Sequence, residues 1–467
     1  MAKKSDEQKN NFQFNDQSKI IAAVVIIILF TFGFFYIQSQ NSAQKTETQA
    51  TATEASGQKP EAGSPQPETI GLPSSGERQA AGVSYTYPPS NHFGIVNAKQ
   101  DYAALAEIGI TWDRPYPGPF NWQKIGFDKY GWDAADEYVK AAQEHGFNTL
   151  GIIWPYNQID QDSCYKGETE IEFGELSRDL ATRRRKPCSI DAYKEFARSV
   201  VERYDADGVG DMPGLKYGIK HWEIASEPEV QYREQGKVFF QGDGKSYSEL
   251  LKASYEAIKS ADPDAKVLHG GISKDGIGTN FWVDVFARAG NYFDIANYHC
   301  SDCEDTVKIQ EFKNFLAQNN INKPVWLTSV SFSGVSDKEQ SKKLFAGYLH
   351  ALGKNADKVF YERWNEALGG KLALANIIQL PDVKRPAYFT LRALIAKLDN
   401  YSSAKEVSDG HYEFAISEKT IHAFMKAMDL PKGLQGDVIQ LDYNGTVRKE
   451  KMFNVASSDV PAVIEKV

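Results

Sequence analysis

A chain of 467 residues with a formal net charge of −9 is long enough for one large domain or two smaller ones. Its acidity disfavours a general binder of nucleic acid or polyphosphate. Aromatic residues make up 12%, with 23 Tyr and 8 Trp, a surplus that suits sugar or extended-polymer binding as well as core packing. The cysteines are Cys164, Cys188, Cys300 and Cys303. No CxxC stands beside a second CxxC or a His pair at zinc spacing, so neither a structural metal nor a cofactor is expected. In an oxidising compartment Cys164–Cys188 and Cys300–Cys303 are the natural disulfides, with crossed pairings and free thiols as the alternatives.

Residues 20–37, "IIAAVVIIILFTFGFFYI", form an uncharged run long enough to span a bilayer as a transmembrane helix. Lys3, Lys4, Lys9 and Lys19 precede it, against only Lys45 in the next twenty residues. This asymmetry puts residues 1–19 in the cytoplasm and the remainder outside. A cleaved signal peptide is the competing reading, but its apolar region is normally shorter and no convincing small-x-small site follows. Residues 38–85, rich in Gln, Thr, Ser, Ala, Glu and Pro, cannot bury a core and are expected to form a disordered tether.

Over residues 90–400, short apolar runs alternate with amphipathic stretches. The runs are "HFGIV", "GITWDR", "NTLGIIW", "IKHWEIAS", "KVLHGG", "FDIANYH", "KPVWLTSV" and "DKVFYERW". Between them, "YGWDAADEYVKAAQEHG", "SIDAYKEFARSVVERYDA", "SYSELLKASYEAIKSA" and "EQSKKLFAGYLHALGKNA" repeat apolar positions at three- and four-residue steps, as helices laid on a sheet demand. The pattern predicts an α/β fold, a (β/α)8 TIM barrel. No GxGxxG or phosphate loop follows the first strand, so a nucleotide-binding sheet loses support. Residues 401–467 read as short alternating strands with a turn at Asn444-Gly445, a small C-terminal β module against the barrel. The basic run Arg183 to Lys186 falls in a polar loop and is expected to be solvated.

Chemistry in such a barrel gathers at the C-terminal ends of the strands. Arg114 ends the second run, Glu227 follows the fourth, His299 ends the sixth, Ser329 the seventh and Trp364 the eighth. Glu227, held before Pro228 at a strand exit, suits a general acid. Glu223 lies deeper and calls for a cation, with Arg114 the candidate. Tyr298 and His299 read as a sugar-facing pair, Trp154 and Trp364 as stacking platforms, and Asp294 as structural.

The order "WEIASEP", "WLT", Trp364 resembles a clan A glycoside hydrolase, most nearly the family 39 group and relatives acting on microbial exopolysaccharides. "GITWDR" resembles that group's second strand with its Arg, and "FDIANYH" its sixth with its His. "LDYNGTVRKEKMFNVASSDVPAVIE" resembles its accessory β module. The resemblance spans residues 91–466 and implies a TIM barrel that hydrolyses O-glycosidic bonds of a polysaccharide. It puts Glu227 at the acid/base, Ser226 where an Asn usually contacts the sugar, and Ser329 at the nucleophile.

Serine there is a departure. A retaining enzyme needs a second carboxylate about 5 Å from the acid, and a hydroxyl offers neither the charge nor, without a base, the nucleophilicity. Glu362, two residues before Trp364, shares that residue's face of the eighth strand. It is the candidate relocated carboxylate, with a gap suited to a water and an inverting path; pairing with Arg114 or Arg363 is the structural alternative. The sequence therefore admits a membrane-anchored glycosidase, an inactive carbohydrate-binding relative, or a scaffold of a polysaccharide export complex. A polysaccharide and, through the anchor, a membrane are the expected partners, with no nucleic acid.

Overall fold

The computed structural model describes residues 91–125, 131–168, 181–230, 239–301, 303, 308–362, 376–379, 383–455 and 460–467. The expected anchor at 20–37, the tether at 38–85, and Trp364 with its neighbour Arg363 lie outside the described residues. Among the described residues no helix is long and apolar enough to cross a membrane.

All eight apolar runs form strands: β1 Phe93–Val96, β2 Trp112–Arg114, β3 Asn148–Ile153, β4 His221–Ile224, β5 Lys266–His269, β6 Ala296–Cys300, β7 Val325–Val330 and β8 Lys358–Tyr361. They pair in parallel in the order β5-β4-β3-β2-β1-β8-β7-β6. The two ends meet through the bridges Leu268↔Ile295 and Ile272↔Tyr298. At that seam the backbone N–H of Asn297 donates to Nε2 of His269, at 3.1 Å, in place of a carbonyl.

The layer outside the strands is helical: α1 Tyr102–Glu107, α2 Asp133–Glu144, α3 Ile190–Tyr204, α4 Gly244–Ala261, α5 Asn280–Ala289, α6 Ile309–Gln318, α7 Asp337–Gly353 and α8 Pro386–Leu398. The starts of three of them are written in the sequence. Ser189, Asp243 and Ser336 accept hydrogen bonds from Ala192, Ser246 and Glu339 N–H respectively, satisfying donors that the first turn leaves open. Each helix turns its apolar stripe inward, as Tyr193, Phe196, Val200 and Tyr204 of α3 illustrate.

Inside the strands lies a second, stratified core. Its floor is apolar, built from Trp112, Leu150, Leu268, Ile295, Trp326 and Phe360. Above it stand the buried polar side chains Arg114, Glu223, Asn297 and Thr328. Glycine is required where Trp222 crosses β3: a Cβ on Gly151 would overlap that indole ring.

After a short hairpin of β9 Ile378–Gln379 and β10 Val383–Lys384 and then α8, the chain builds the expected β module. Strands β11 Ser403–Ser408, β12 His411–Ile416 and β13 Lys419–Phe424 lead to the small β14 Met428–Asp429. Then come β15 Gly436–Asp442, β16 Val447–Met452, β17 Asn454–Val455 and β18 Ala462–Lys466. Six of these form a sheet ordered β11-β12-β13-β18-β15-β16, while β14 pairs with β17. One face joins the barrel's core through Tyr412, Phe414, Ile421 and Val463. The Asn444-Gly445 turn links β15 to β16, with Gly445 at φ 76°.

Replacing Gly151 by Ala forces the Trp222 ring aside in a close-packed wall. A loss of about 1–3 kcal/mol is expected, measurable as a lower midpoint in urea unfolding followed by tryptophan fluorescence.

Candidate functional site

The strand β4 delivers two carboxylates to different depths. Glu223 is fully buried, and Arg114 from β2 grips it with Nε at 2.7 Å and Nη2 at 2.8 Å. This bidentate pair satisfies a charge that the lumen could not otherwise hold, and it commits Arg114 to the floor of the site; the expectation of a sugar contact from Arg114 is not met by this geometry.

Beyond Ile224 the backbone turns sharply. Ala225 has φ 57° and Glu227 φ 42°, left-handed values that cost residues with a Cβ about 1–3 kcal/mol each. The buried Ser226 lies between them. The turn lifts the Glu227 carboxyl to the barrel mouth, where its Oε1 stands 3.2 Å from Nδ1 of His299.

His299 connects the two depths. Its Nε2 lies 2.8 Å from Oγ1 of Thr328, which also stands 2.8 Å from Oδ1 of Asn297. A hydroxyl has one proton to give. With hydrogen on Nδ1 the ring donates to the Glu227 carboxyl and Nε2 accepts from Thr328; with hydrogen on Nε2 the ring donates to Thr328 and Nδ1 accepts. Gly271 leaves room for this ring, since a Cβ there would overlap it.

Across the barrel, β7 holds an irregular register. Leu327 pairs with Tyr298 of β6 and Ser329 with His299, so Thr328 is extra on β7. Against β8 the same stretch is again one residue too long, from Leu327↔Val359 to Val330↔Tyr361. Such a bulge re-aims side chains. Thr328 turns in toward Asn297 and His299, while Ser329 turns toward Glu362. The Glu362 carboxylate collects three serine hydroxyls: Ser301 at 2.9 Å, Ser331 at 2.7 Å, and Ser329. Its own N–H donates to Val330 O at 2.9 Å, tying the tip of β8 to β7. The serine and the carboxylate that the sequence sets thirty-three residues apart are thus hydrogen-bonded partners.

A cavity of about 410 Å3 opens beside Glu227 and His299, lined also by Glu229, Ser273, Lys274 and Ser301 among others; Glu362 and Ser329 are not in its lining. That volume is within the range of small-molecule sites. Sequence reading missed Glu229, Ser301, Ser331 and the Ser273–Gly276 loop. Glu229 follows Glu227 by two residues, and the loop follows the fifth strand's "HGG", so both stood at positions the fold favours. Glu229 accepts from Ser273 N–H at 2.7 Å, and burial raises its carboxyl above the usual range.

Four other expectations are corrected. Tyr298 does not face the site: neighbours on a strand point to opposite faces, so with His299 inward Tyr298 stacks on Phe312 of α6, centroids 5.2 Å apart. Trp154 presents no open face. It is fully buried among Tyr116, Tyr156 and Phe239, with its indole N–H on Pro117 O. Ser226 is buried in the turn and so is withdrawn from a sugar contact as the structure stands. The basic run is not solvated throughout. Arg184 is fully buried beside the Phe239 ring, and desolvation lowers its guanidinium to about 10. Asp294 is structural as expected, accepting from Val267 N–H at 2.8 Å. Both disulfides pair as expected, Cys164 with Cys188 and Cys300 with Cys303. The second frames Ser301.

No protein-family model matches the chain, and no curated protein matches it in sequence. Solved structures do match in fold. A family 39 glycoside hydrolase from Bacteroides cellulosilyticus WH2 aligns over 80% of each chain, with a TM-score of 0.58 at 16% identity. A glucosidase from Croceicoccus marinus covers 81% of this chain and 97% of its own, with a TM-score of 0.55 at 14% identity. A family 30 endoxylanase from Clostridium papyrosolvens C71 covers 83% and 98%, with a TM-score of 0.53 at 10% identity. The chain therefore shares with these structures the fold of a parallel eight-stranded α/β barrel, followed here by a C-terminal antiparallel sheet.

Arg114→Leu would strand the Glu223 charge in the lumen. Breaking a buried pair from one side costs about 3–5 kcal/mol, and a urea titration should show that loss, whereas the paired change Arg114→Leu with Glu223→Leu should recover part of it.

Proposed function

We propose that this chain is a membrane-anchored, extracytoplasmic glycoside hydrolase acting on O-glycosidic bonds of a cell-surface polysaccharide. Glu227 is the acid/base, and Glu362 supplies the second carboxylate in place of a nucleophile at Ser329. The observation that carries this reading is the cradle of Glu362: a carboxylate from β8 hydrogen-bonded to Ser329, at the β7 tip where the resemblance to family 39 expects one. Glycoside hydrolysis needs two carboxyl groups flanking the scissile bond, one able to donate a proton and one charged. The hydrogen bond between Glu227 and His299 at the barrel mouth suits the first role. Three hydroxyl donors favour the ionised form of Glu362, which suits the second, as the stabiliser of oxocarbenium charge or the base for water. The barrel fold shared with a glucosidase, an endoxylanase and a family 39 hydrolase supports the class, and the uncharged run at residues 20–37 supports the anchored location.

The test is hydrolysis of a panel of bacterial and plant polysaccharides, followed by reducing-end release. Glu227→Gln and Glu362→Gln should each lower kcat by roughly 10²–10⁴-fold, with proton NMR of the first-formed anomer assigning Glu362 as nucleophile or base. Full activity in Glu362→Gln removes Glu362 from the mechanism. Binding without any release, unchanged in Glu227→Gln, identifies instead the carbohydrate-binding relative, and no binding in either form favours a scaffold.

A further inference from the structure

The C-terminal sheet gathers three side chains that the barrel chemistry does not use. Strands β12 and β13 pair antiparallel with Glu413 directly opposite His422. His411 is two residues before Glu413. Residues two apart on a strand, and directly opposed residues on its neighbour, share a face of the sheet. His411, Glu413 and His422 therefore rise together.

Their donor atoms converge. Nε2 of His411 lies 3.1 Å from Nδ1 of His422, and that Nδ1 lies 3.6 Å from Oε1 of Glu413. One ligand atom from each residue falls within 4.8 Å of the other two. In a tetrahedral zinc site with bonds of about 2.0–2.1 Å, ligand atoms stand about 3.3 Å apart, and the two measured separations bracket that value. The ligands are also held in place. The His411 ring is buried and stacks on Phe424, centroids 4.4 Å apart and 15° from parallel. Lys405, across on β11, takes the other oxygen of Glu413 at 2.7 Å, an outer contact of the kind that orients a ligating carboxylate.

We propose that His411, Glu413 and His422 form a binding site for a borderline divalent transition metal, Zn2+ foremost, with a fourth position open to water. Two imidazole nitrogens and one carboxylate oxygen suit zinc and its neighbours and do not suit Mg2+ or Ca2+, which take oxygen ligands. The ion ties β12 to β13. Because the third ligand comes from the neighbouring strand, the set has no linear zinc spacing, and a sequence search for one passes over it.

Isothermal titration of the chelator-treated, full-length protein with ZnCl2 tests the site. One Zn2+ per chain is expected, with a melting temperature that rises on saturation and a tetrahedral visible spectrum when Co2+ replaces it. His422→Ala should weaken Zn2+ binding at least a hundredfold and Glu413→Gln at least tenfold. His145→Ala, at an exposed histidine elsewhere, should bind as the parent does. Far-UV circular dichroism of the metal-free variants separates lost ligands from lost folding, and Glu413→Gln, at a half-buried position, serves should His422→Ala misfold. Absence of binding at 100-micromolar Zn2+ (on the order of a weak extracellular metal site) overturns the proposal. So does unchanged affinity in Glu413→Gln or in a folded His422→Ala chain.

Discussion

A guanidinium and a carboxylate locked together inside an apolar lumen set the terms for everything above them. Arg114 and Glu223 are both essentially inaccessible to water, and each would be untenable there without the other. Together they make a polar stratum on top of an aromatic floor. From that stratum contacts rise through Thr328, 3.4 Å from Glu223, to His299 and Glu227. The Glu227 carboxyl at the mouth thus stands on a column of fixed dipoles and charges. Preorganisation of this sort lets a site act without rearranging at the moment of reaction.

The opposite wall is shaped by the bulge at Thr328 and Ser329: one surplus residue lets Thr328 face the lumen while Ser329 addresses Glu362. Hydroxyls from β7 and from the loop after β6 converge on one carboxylate. The Cys300–Cys303 bridge brackets Ser301, so the covalent loop and the cradle are parts of one construction.

The strands were legible in the sequence because parallel barrel strands are apolar on both faces and stand out as short runs between helical stripes. The places of Glu227, His299 and Glu362 at the ends of strands were legible because each closes or follows an apolar run. What escaped depended on neighbours distant in the chain. Tyr298 was misplaced by treating consecutive residues as a pair, although alternation sends one of any two to the helix layer. Trp154 was taken for a platform because no sequence reveals that Tyr116 and Phe239 will close over an indole. Arg184 reads as one of four exposed cations until the loop folds it beneath Phe239. The partnership of Ser329 with Glu362 depends on a register shift, and that of His411 with His422 on a hairpin pairing; neither leaves a local trace.

The left-handed turn at Ala225 and Glu227 has a further consequence for how this chain can vary. Glycine at either position would relax the backbone, so mutation has a ready thermodynamic incentive to soften the turn. At Glu227 that relief deletes the carboxyl that the turn carries to the barrel mouth. Drift toward greater robustness at this spot and retention of a working mouth therefore pull in opposite directions, and a lineage that kept the barrel only as a sturdy frame would be expected to yield here first.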